Sequence, residues 1–249
     1  RRFTDVAPTK GLALSGNSRD VAWNDVDGDG DLDVFVAGEE EARLYTQDSL
    51  AHFIPSDSMS NPEFATSAVW LGSSVLLGTE NGLRYLRADV TNGALVSRNA
   101  AWSAGFIDPG EAYDLVVADY NGDGNGDVYV ANNPGQDRLY RNRGDGTFES
   151  VEESLGMGSH GNSIDAEWVR FQGEALPSLY VASWDGSNFQ YVNNQDGTFI
   201  EVSGQFGIRD PGPTTVSVWG DITQNVGTTD NSRLRPAGYL GRDNQPNSD

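Results

Sequence analysis

The octapeptide Gly16-Asn17-Ser18-Arg19-Asp20-Val21-Ala22-Trp23 returns as Gly161-Asn162-Ser163-Ile164-Asp165-Ala166-Glu167-Trp168, and this self-similarity constrains the fold more than any other feature. The same glycine-to-aspartate offset recurs at Gly110 and Asp114. Behind each copy lies a short apolar run: Val34-Phe35-Val36-Ala37, Val128-Tyr129-Val130-Ala131 and Leu179-Tyr180-Val181-Ala182, with Val75-Leu76-Leu77-Gly78 as a weaker relative. These β-branched and aromatic runs read as strands. Next comes a tyrosine eight residues ahead of a phenylalanine, at Tyr45 and Phe53, Tyr140 and Phe148, and Tyr191 and Phe199. The turns Gly144-Asp145-Gly146-Thr147 and Gln195-Asp196-Gly197-Thr198 separate the last two pairs, and an Asp-Gly dipeptide suits a hairpin. Each unit therefore reads as a small antiparallel meander.

A meander of this size cannot bury both faces alone, so the units must stack. With Trp23, Trp70, Val117, Trp168 and Trp219 as landmarks there are five units of about 50 residues. The expected fold is all-β, a β-propeller of four-stranded antiparallel blades forming one domain over residues 1–249. The blades fall near 12–61, 62–109, 110–160, 161–211 and 212–249 plus 1–11. The spacing of Phe148 to Gly156 and Phe199 to Gly207 recurs at Phe3 to Gly11, so an N-terminal strand is expected to complete the last blade and remove the open edge. The alternative is a fragment of a larger, seven-bladed propeller.

Two inter-strand loops carry the strongest chemical signal. In residues 25–33, Asp25, Asp27, Asp29 and Asp33 offer side-chain oxygens and Asp31 its carbonyl; in residues 119–127, Asp119, Asn121, Asp123 and Asp127 do so, with the carbonyl of Asn125. Alternate residues of a tight loop turn oxygens inward, as Ca²⁺ requires with its roughly six to eight oxygen ligands at about 2.3–2.6 Å. Gly28, Gly30, Gly122 and Gly124 let the backbone wrap an ion. The first nine positions match an EF-hand loop, yet the twelfth, where that loop has a bidentate glutamate, is Val36 or Val130 inside a predicted strand. These are strand-flanked calcium loops. In the second unit the interval Trp23–Val34 shrinks to Trp70–Val75, so the loop is gone; in the fourth, Arg170, Gln172, Glu174 and Ser178 hold the ligand positions and cannot bind calcium in the same way. Asp221, Thr223 and Asn225 of the fifth unit offer a third, weaker site, with Asp230 one place late.

The DxDGDGxxD loop, the tyrosine strand and the GDGTF turn, in that order, resemble the FG-GAP or VCBS repeat of integrin α-subunit-type propellers, found also in cartilage acidic protein and secreted bacterial proteins. The resemblance implies calcium in the aspartate loops on one face and partners on the opposite face. Carried over by position, the ligands are the ten residues Asp25, Asp27, Asp29, Asp31, Asp33, Asp119, Asn121, Asp123, Asn125 and Asp127. Family propellers usually have seven blades, which five units do not match.

Composition narrows the partners. With 37 acidic against 16 basic residues the formal charge is −21, which argues against nucleic acid or an anionic membrane surface. There is no cysteine, so cross-bracing must come from packing or metal ions. No apolar run is long enough to span a membrane, and the start at Arg1 and Arg2 shows no signal-peptide apolar region. An acidic, disulfide-free calcium binder is expected outside the cell or on its surface.

Other motifs have plainer explanations. Arg143-Gly144-Asp145 spells an integrin-recognition tripeptide but overlaps the repeated turn, and Gly156, Gly158 and Gly161 fit GxGxxG without a surrounding βαβ unit. Asn17, Arg19, Asp20, Glu111, Tyr113, Asp114, His160, Asn162 and Asp165 all fall where the first strand of a unit begins, away from the calcium loops, and form a candidate ligand rim. The competing reading is that Asp20, Asp114 and Asp165 tie neighbouring blades together. Likewise the strand tryptophans read as inter-blade packing, while Trp184, beside Asp185 and Gly186, is the better platform for a sugar. The leading functional expectation is a calcium-stabilised binding or adhesion module for a glycan or protein, with no catalytic residue assigned. The alternative is a carbohydrate-active lyase, hydrolase or cyclase working around His160 and Asp165.

Overall fold

The computed structural model describes residues 2–12, 16–39, 41–55, 59–60, 64–89, 94–96, 99–158, 161–171, 173–186, 188–207, 212–220 and 237–242. Among the described residues five antiparallel sheets follow one another along the chain. The first holds β1 (Ser18–Asn24), β2 (Asp33–Gly38), β3 (Glu41–Gln47) and β4 (Phe53–Pro55), with β5 (Met59–Ser60) on the start of β3. The second holds β6 (Ala65–Leu71), β7 (Ser74–Thr79), β8 (Gly82–Asp89) and β9 (Ala94–Val96). The third runs β10 (Ala112–Ala118), β11 (Asp127–Asn132), β12 (Arg138–Asn142) and β13 (Phe148–Ser150). The fourth runs β14 (Ser163–Val169), β15 (Ser178–Ser183), β16 (Phe189–Asn193) and β17 (Phe199–Glu201); the fifth pairs β18 (Thr214–Gly220) with β19 (Ala237–Arg242). These meanders are the blades of a β-propeller. Compactness divides the chain into residues 1–115 and 116–249, each taken here by itself.

The apolar runs are continuous rather than alternating because the second strand of a blade is covered on both faces. Every residue of β2, β7, β11 and β15 is buried. Phe35 and Leu44 of the first blade pack with Val75, Leu77 and Leu86 of the second; Tyr129, Leu139 and Met157 of the third pack with Leu179, Tyr191 and Phe199 of the fourth. Full burial of such a side chain contributes roughly 1.5–3 kcal/mol.

The first strands stack through a repeated polar lock. Their pairing register slips at Ser18/Asp20, Ala65/Ser67, Ser163/Asp165 and Thr214/Val216. A bulge re-aims its side chain, here toward the blade that follows. Asp20 Oδ2 accepts the Ala68 N–H at 2.8 Å and the Ser67 hydroxyl at 3.0 Å. Ser67 Oγ accepts the Leu115 N–H at 3.2 Å, and Asp165 Oδ2 accepts the Ser217 N–H at 2.7 Å together with its hydroxyl. Tryptophan returns the link: Trp70 Nε1–H donates to Ala22 O at 3.0 Å and Trp168 Nε1–H to Val116 O at 3.2 Å. Hydrogen bonds to a charged acceptor are worth about 1.5–3 kcal/mol each.

The N-terminal strand expected to close the last blade does not form. Residues 2–6 have no strand, Phe3 is fully exposed, and Ala7–Thr9 make a 3₁₀ turn begun by the Ala7 N–H on Asp5 Oδ1. A strand needs a ladder partner for its backbone groups, and none of the described strands pairs with this segment. Residues 7–12 dock on the first blade instead. Phe53 N–H donates to Lys10 O at 2.8 Å, and Leu12, like Phe53, packs on the cluster of Val34, Val36 and Tyr45. The spacing from Phe3 to Gly11 is nonetheless structural. Gly11 has φ 85° after its 3₁₀ turn, as Gly156 has φ 82° after the turn Glu152–Leu155. An added Cβ would stand 2.2 Å from Phe53 O at Gly11 and 3.0 Å from Phe199 O at Gly156. In both places the glycine admits the carbonyl of the next phenylalanine strand.

Candidate metal centre

Both aspartate loops join the first strand of a blade to the second, and each closes on itself through carboxylate-to-amide bonds. In residues 25–33, Asp25 accepts the N–H groups of Gly28 (2.8 Å) and Gly30 (3.0 Å), Asp27 Oδ1 that of Asp29 (3.2 Å) and Asp29 Oδ1 that of Asp31 (2.9 Å). Gly28 and Gly30 have φ of 77° and 94°, which side chains other than glycine rarely adopt. The outcome is a concentration of charge: oxygens of Asp25, Asp27 and Asp29 lie within 4.8 Å of one another. Among the described residues no basic group pairs with these three. Burial first, then the charges of Asp33, Asp29 and Asp25, raises the Asp27 pKa.

Residues 119–127 repeat the wiring with less charge. Asp119 accepts from Gly122 (2.7 Å), Asp123 (3.1 Å) and Gly124 (2.8 Å), and Asn121 Oδ1 accepts the Asp123 N–H at 2.9 Å. The Asn121 and Asn125 side-chain amides donate to Asp123 at 3.0 and 2.9 Å. The Asn125 N–H, with those amides, lowers the Asp123 pKa.

The ninth residue of each loop stands apart from the exposed group. Asp33 and Asp127 are fully buried. Asp33 accepts the Val26 N–H at 2.9 Å and the Gln47 N–H at 2.8 Å; Asp127 accepts those of Tyr120 at 3.3 Å and Asn142 at 2.8 Å. Each therefore ties the loop to the third strand of its own blade. Burial, reinforced by Asp123 and Asp119 against the two N–H donors, pushes the Asp127 carboxyl up to about 7. Each of these carboxylates keeps at least one oxygen that accepts no more than one of these bonds, so the donor set of both loops, all oxygen and rich in charge, fits a hard divalent cation.

The other blades diverge as their sequences imply. Leu71 and Ser74 face each other across the two-residue turn of Gly72 and Ser73, so the second blade has no loop there. The fourth blade keeps the loop length and wires it without a buried aspartate. Ser178 Oγ accepts the Asn193 N–H at 3.1 Å, while Glu174 Oε2 accepts the Phe171 N–H at 3.1 Å and the Ser178 hydroxyl at 3.2 Å. Gln195 Oε1 adds bonds from Ala175 and Leu176 at 2.8 and 2.9 Å. Glu174, set down from the sequence only as a lost ligand position, and Gln195 therefore brace this loop. The signal was present: a glutamate four residues ahead of a serine in the aspartate's place. Asp221, Thr223 and Asn225 lie outside the described residues, as does Gln172.

The rim residues sit at the opposite end of each first strand, and most are engaged. Asp20 and Asp165 serve the inter-blade lock, as the scaffolding reading expects, and Asp114 Oδ1 accepts the Leu115 N–H at 2.9 Å. Asn17 Nδ2–H and Arg19 bind Glu39, and Asn162 Nδ2–H binds Asp185 at 3.1 Å. Glu111 is half-buried, Tyr113 and Trp184 are exposed, and His160 lies outside the described residues. The Arg143-Gly144-Asp145 tripeptide is committed to its turn: Arg143 pairs with Glu149, and Asp145 Oδ1 accepts the Thr147 N–H at 2.9 Å, as Asp196 accepts that of Thr198 at 2.9 Å. Glu167 was not singled out by the sequence. It stands half-buried on β14 where the other blades carry Ala22, Val69, Val116 and Val218, and burial and then Asp165 raise its pKa.

Comparison with known proteins agrees with this architecture. Residues 119–171, from the second aspartate loop through the first strand of the fourth blade, match the FG-GAP-like repeat. The chain aligns with BBS1N, solved in complex with ARL6DN and soaked with lead, over 75% of this chain and 53% of that one, at 12% identity and a TM-score of 0.51. It also aligns with the WD40 β-propeller domain of Doa1 over 82% of this chain and 58% of that one, at 13% identity and a TM-score of 0.49. The chain thus spans little more than half the length of either structure. At such identities the likeness concerns the fold alone. No curated protein matches. Among the described residues no helix is long and apolar enough to cross a membrane. The fold together with this repeat suggests a binding-type module.

Proposed function

We propose that this chain is a secreted, calcium-stabilised propeller that binds a glycan or a protein through the rim opposite its aspartate loops. One observation carries the metal: three carboxylates gathered within 4.8 Å, without a basic partner among the described residues. Such a group repels itself unless a cation joins it. Asp25, Asp27, Asp29, Asp33 and the Asp31 carbonyl would hold one ion; Asp119, Asn121, Asp123, Asp127 and the Asn125 carbonyl would hold a second. The ion braces the first and third blades and performs no chemistry.

The binding surface is assigned to the other end of the first strands because carboxylates there support the frame, while Tyr113 in one unit and Trp184 in the other are exposed. Exposed aromatic faces flanked by hydrogen-bonding groups suit sugars and peptide side chains alike. Millimolar Ca²⁺ added to chelated protein is expected to raise the unfolding free energy by about 0.5–1.5 kcal/mol per site, as sites of the weak extracellular kind do. An unchanged melting temperature together with no bound metal by elemental analysis would overturn the metal assignment.

A further inference from the structure

Asn142 and Asn193 hold the same place, at the end of the third strand of their blades, and share three bonds. Each donates its N–H to the ninth residue of its own blade's loop, Asp127 at 2.8 Å or Ser178 Oγ at 3.1 Å. Each donates Nδ2–H to the carbonyl just before that residue, Gly126 O or Pro177 O, at 3.1 Å in both. Each accepts the N–H two residues on, from Gly144 at 2.9 Å or Gln195 at 2.8 Å. Asn193 adds a fourth bond. Its Nδ2–H also reaches Tyr120 O at 2.9 Å, in the aspartate loop of the third blade.

Tyr120 lies between the ligand positions Asp119 and Asn121, so this bond lands inside the candidate metal centre. The Tyr120 ring is buried, stacks on Trp168 with centroids 6.4 Å apart and leans on Phe199 at 5.7 Å. Two further approaches are close. A Cβ added at Gly122 would stand 3.2 Å from Leu176 Cδ2, and one at Gly197 would stand 3.4 Å from Asn121 Cβ. Gln195 carries the link onward by accepting the Ala175 and Leu176 N–H groups at 2.8 and 2.9 Å. One buried side chain, Asn193, thus joins residues 119–122 to residues 175–178 and to the turn 194–198.

On the metal reading proposed for that loop, we propose that it is a brace shared by two blades: a cation bound there orders residues 175–178 and 193–198 of the fourth blade together with 119–127 of the third. Oxygens from alternate residues converge on one ion only for a narrow range of backbone paths. Tyr120 and Gly122 alternate with the ligand positions, so an ion that fixes Asp119, Asn121 and Asp123 also fixes the carbonyl that Asn193 holds and the glycine that Leu176 touches. Opening of the fourth-blade contacts then competes with binding. Linkage makes the effect reciprocal: whatever the ion does for the fourth blade, Asn193 and Leu176 do for the affinity of the ion.

Hydrogen–deuterium exchange of the whole chain, in chelator and in Ca²⁺ at about ten times the half-saturating concentration, tests the brace. Amides of 119–127 are expected to slow about tenfold and those of Ala175, Leu176, Asn193 and Gln195 at least about threefold, while Val202 and Gln205 of the same blade change less than about twofold. Asp123→Asn, which removes charge but leaves an oxygen for the Asn125 N–H, should abolish both effects. Asn193→Ala, with Leu176→Ala as the milder variant, should keep the slowing at 119–127, remove it in the fourth blade, and raise the Ca²⁺ needed to half-protect 119–127 about threefold. Calcium that slows 119–127 and leaves the fourth blade unchanged overturns the proposal while the metal reading stands. Equal slowing at Val202 and Gln205, or fourth-blade slowing that survives both variants, also overturns it, because the effect is then one of overall stability. No slowing at 119–127 removes the metal reading and the proposal with it.

Discussion

Residues 119–127 and residues 170–178 join equivalent strands, yet they keep their shape by opposite means. In the first, one buried carboxylate, Asp127, holds both the N–H at the loop's start and the N–H of the third strand, with Asp119 and Asp123 concentrated above it. In the second, those two bonds are divided between Glu174 and Ser178, and the side-chain amide of Gln195 fills in above. The divided arrangement leaves one carboxylate where the other has three. The difference is one of charge: the same strand connection is wired with one carboxylate in the fourth blade and gathers three in the third.

The largest expected effect comes from removing the buried carboxylate. Asp127→Ala strands the Tyr120 and Asn142 N–H groups and should cost about 3 kcal/mol in urea unfolding, whereas Ser178→Ala strands chiefly the Asn193 N–H and should cost about 1 kcal/mol. Equal losses would break the comparison. Acidity sharpens it next. Because burial raises the Asp127 carboxyl from 3.8 to about 7, the folded, metal-free chain holds that proton more tightly than the unfolded one. Its contribution is full below pH 4 and is lost as the pH rises through 7, a difference on the order of 2 kcal/mol in chelator. Asp127→Asn should flatten this dependence, and calcium should offset the loss at high pH because it binds the deprotonated loop. The smallest effect is expected from Ser178→Asp. A new carboxylate beside Glu174 should destabilise the fourth blade by about 1 kcal/mol in chelator, and less at pH 5 than at pH 8. Stabilisation instead would show that the fourth loop tolerates charge without a cation.

Much of this could be read directly. The repeated octapeptide, the tyrosine-to-phenylalanine spacing and the Asp-Gly turns predict four-stranded meanders, and Asp145 and Asp196 occupy their turns as short-range rules require. The double role of Asp33 and Asp127 was not legible. A ligand spacing is a local pattern, but burial and the partners Gln47 and Asn142 arrive from a strand some fifteen residues away. Nor was the fate of Phe3 to Gly11. Its spacing marks a blade's tail, while strand formation depends on a neighbour supplying the ladder.

The sequence by itself determined the unit: which segments are strands, where they turn, and which loops collect carboxylates, because each rests on contacts within a few residues. Only the tertiary structure decided how units meet. A bulge at Asp20 or Asp165 points a carboxylate into the next blade, and Trp70 or Trp168 answers from that blade, so the same residue types that suggest a ligand rim are spent on the frame.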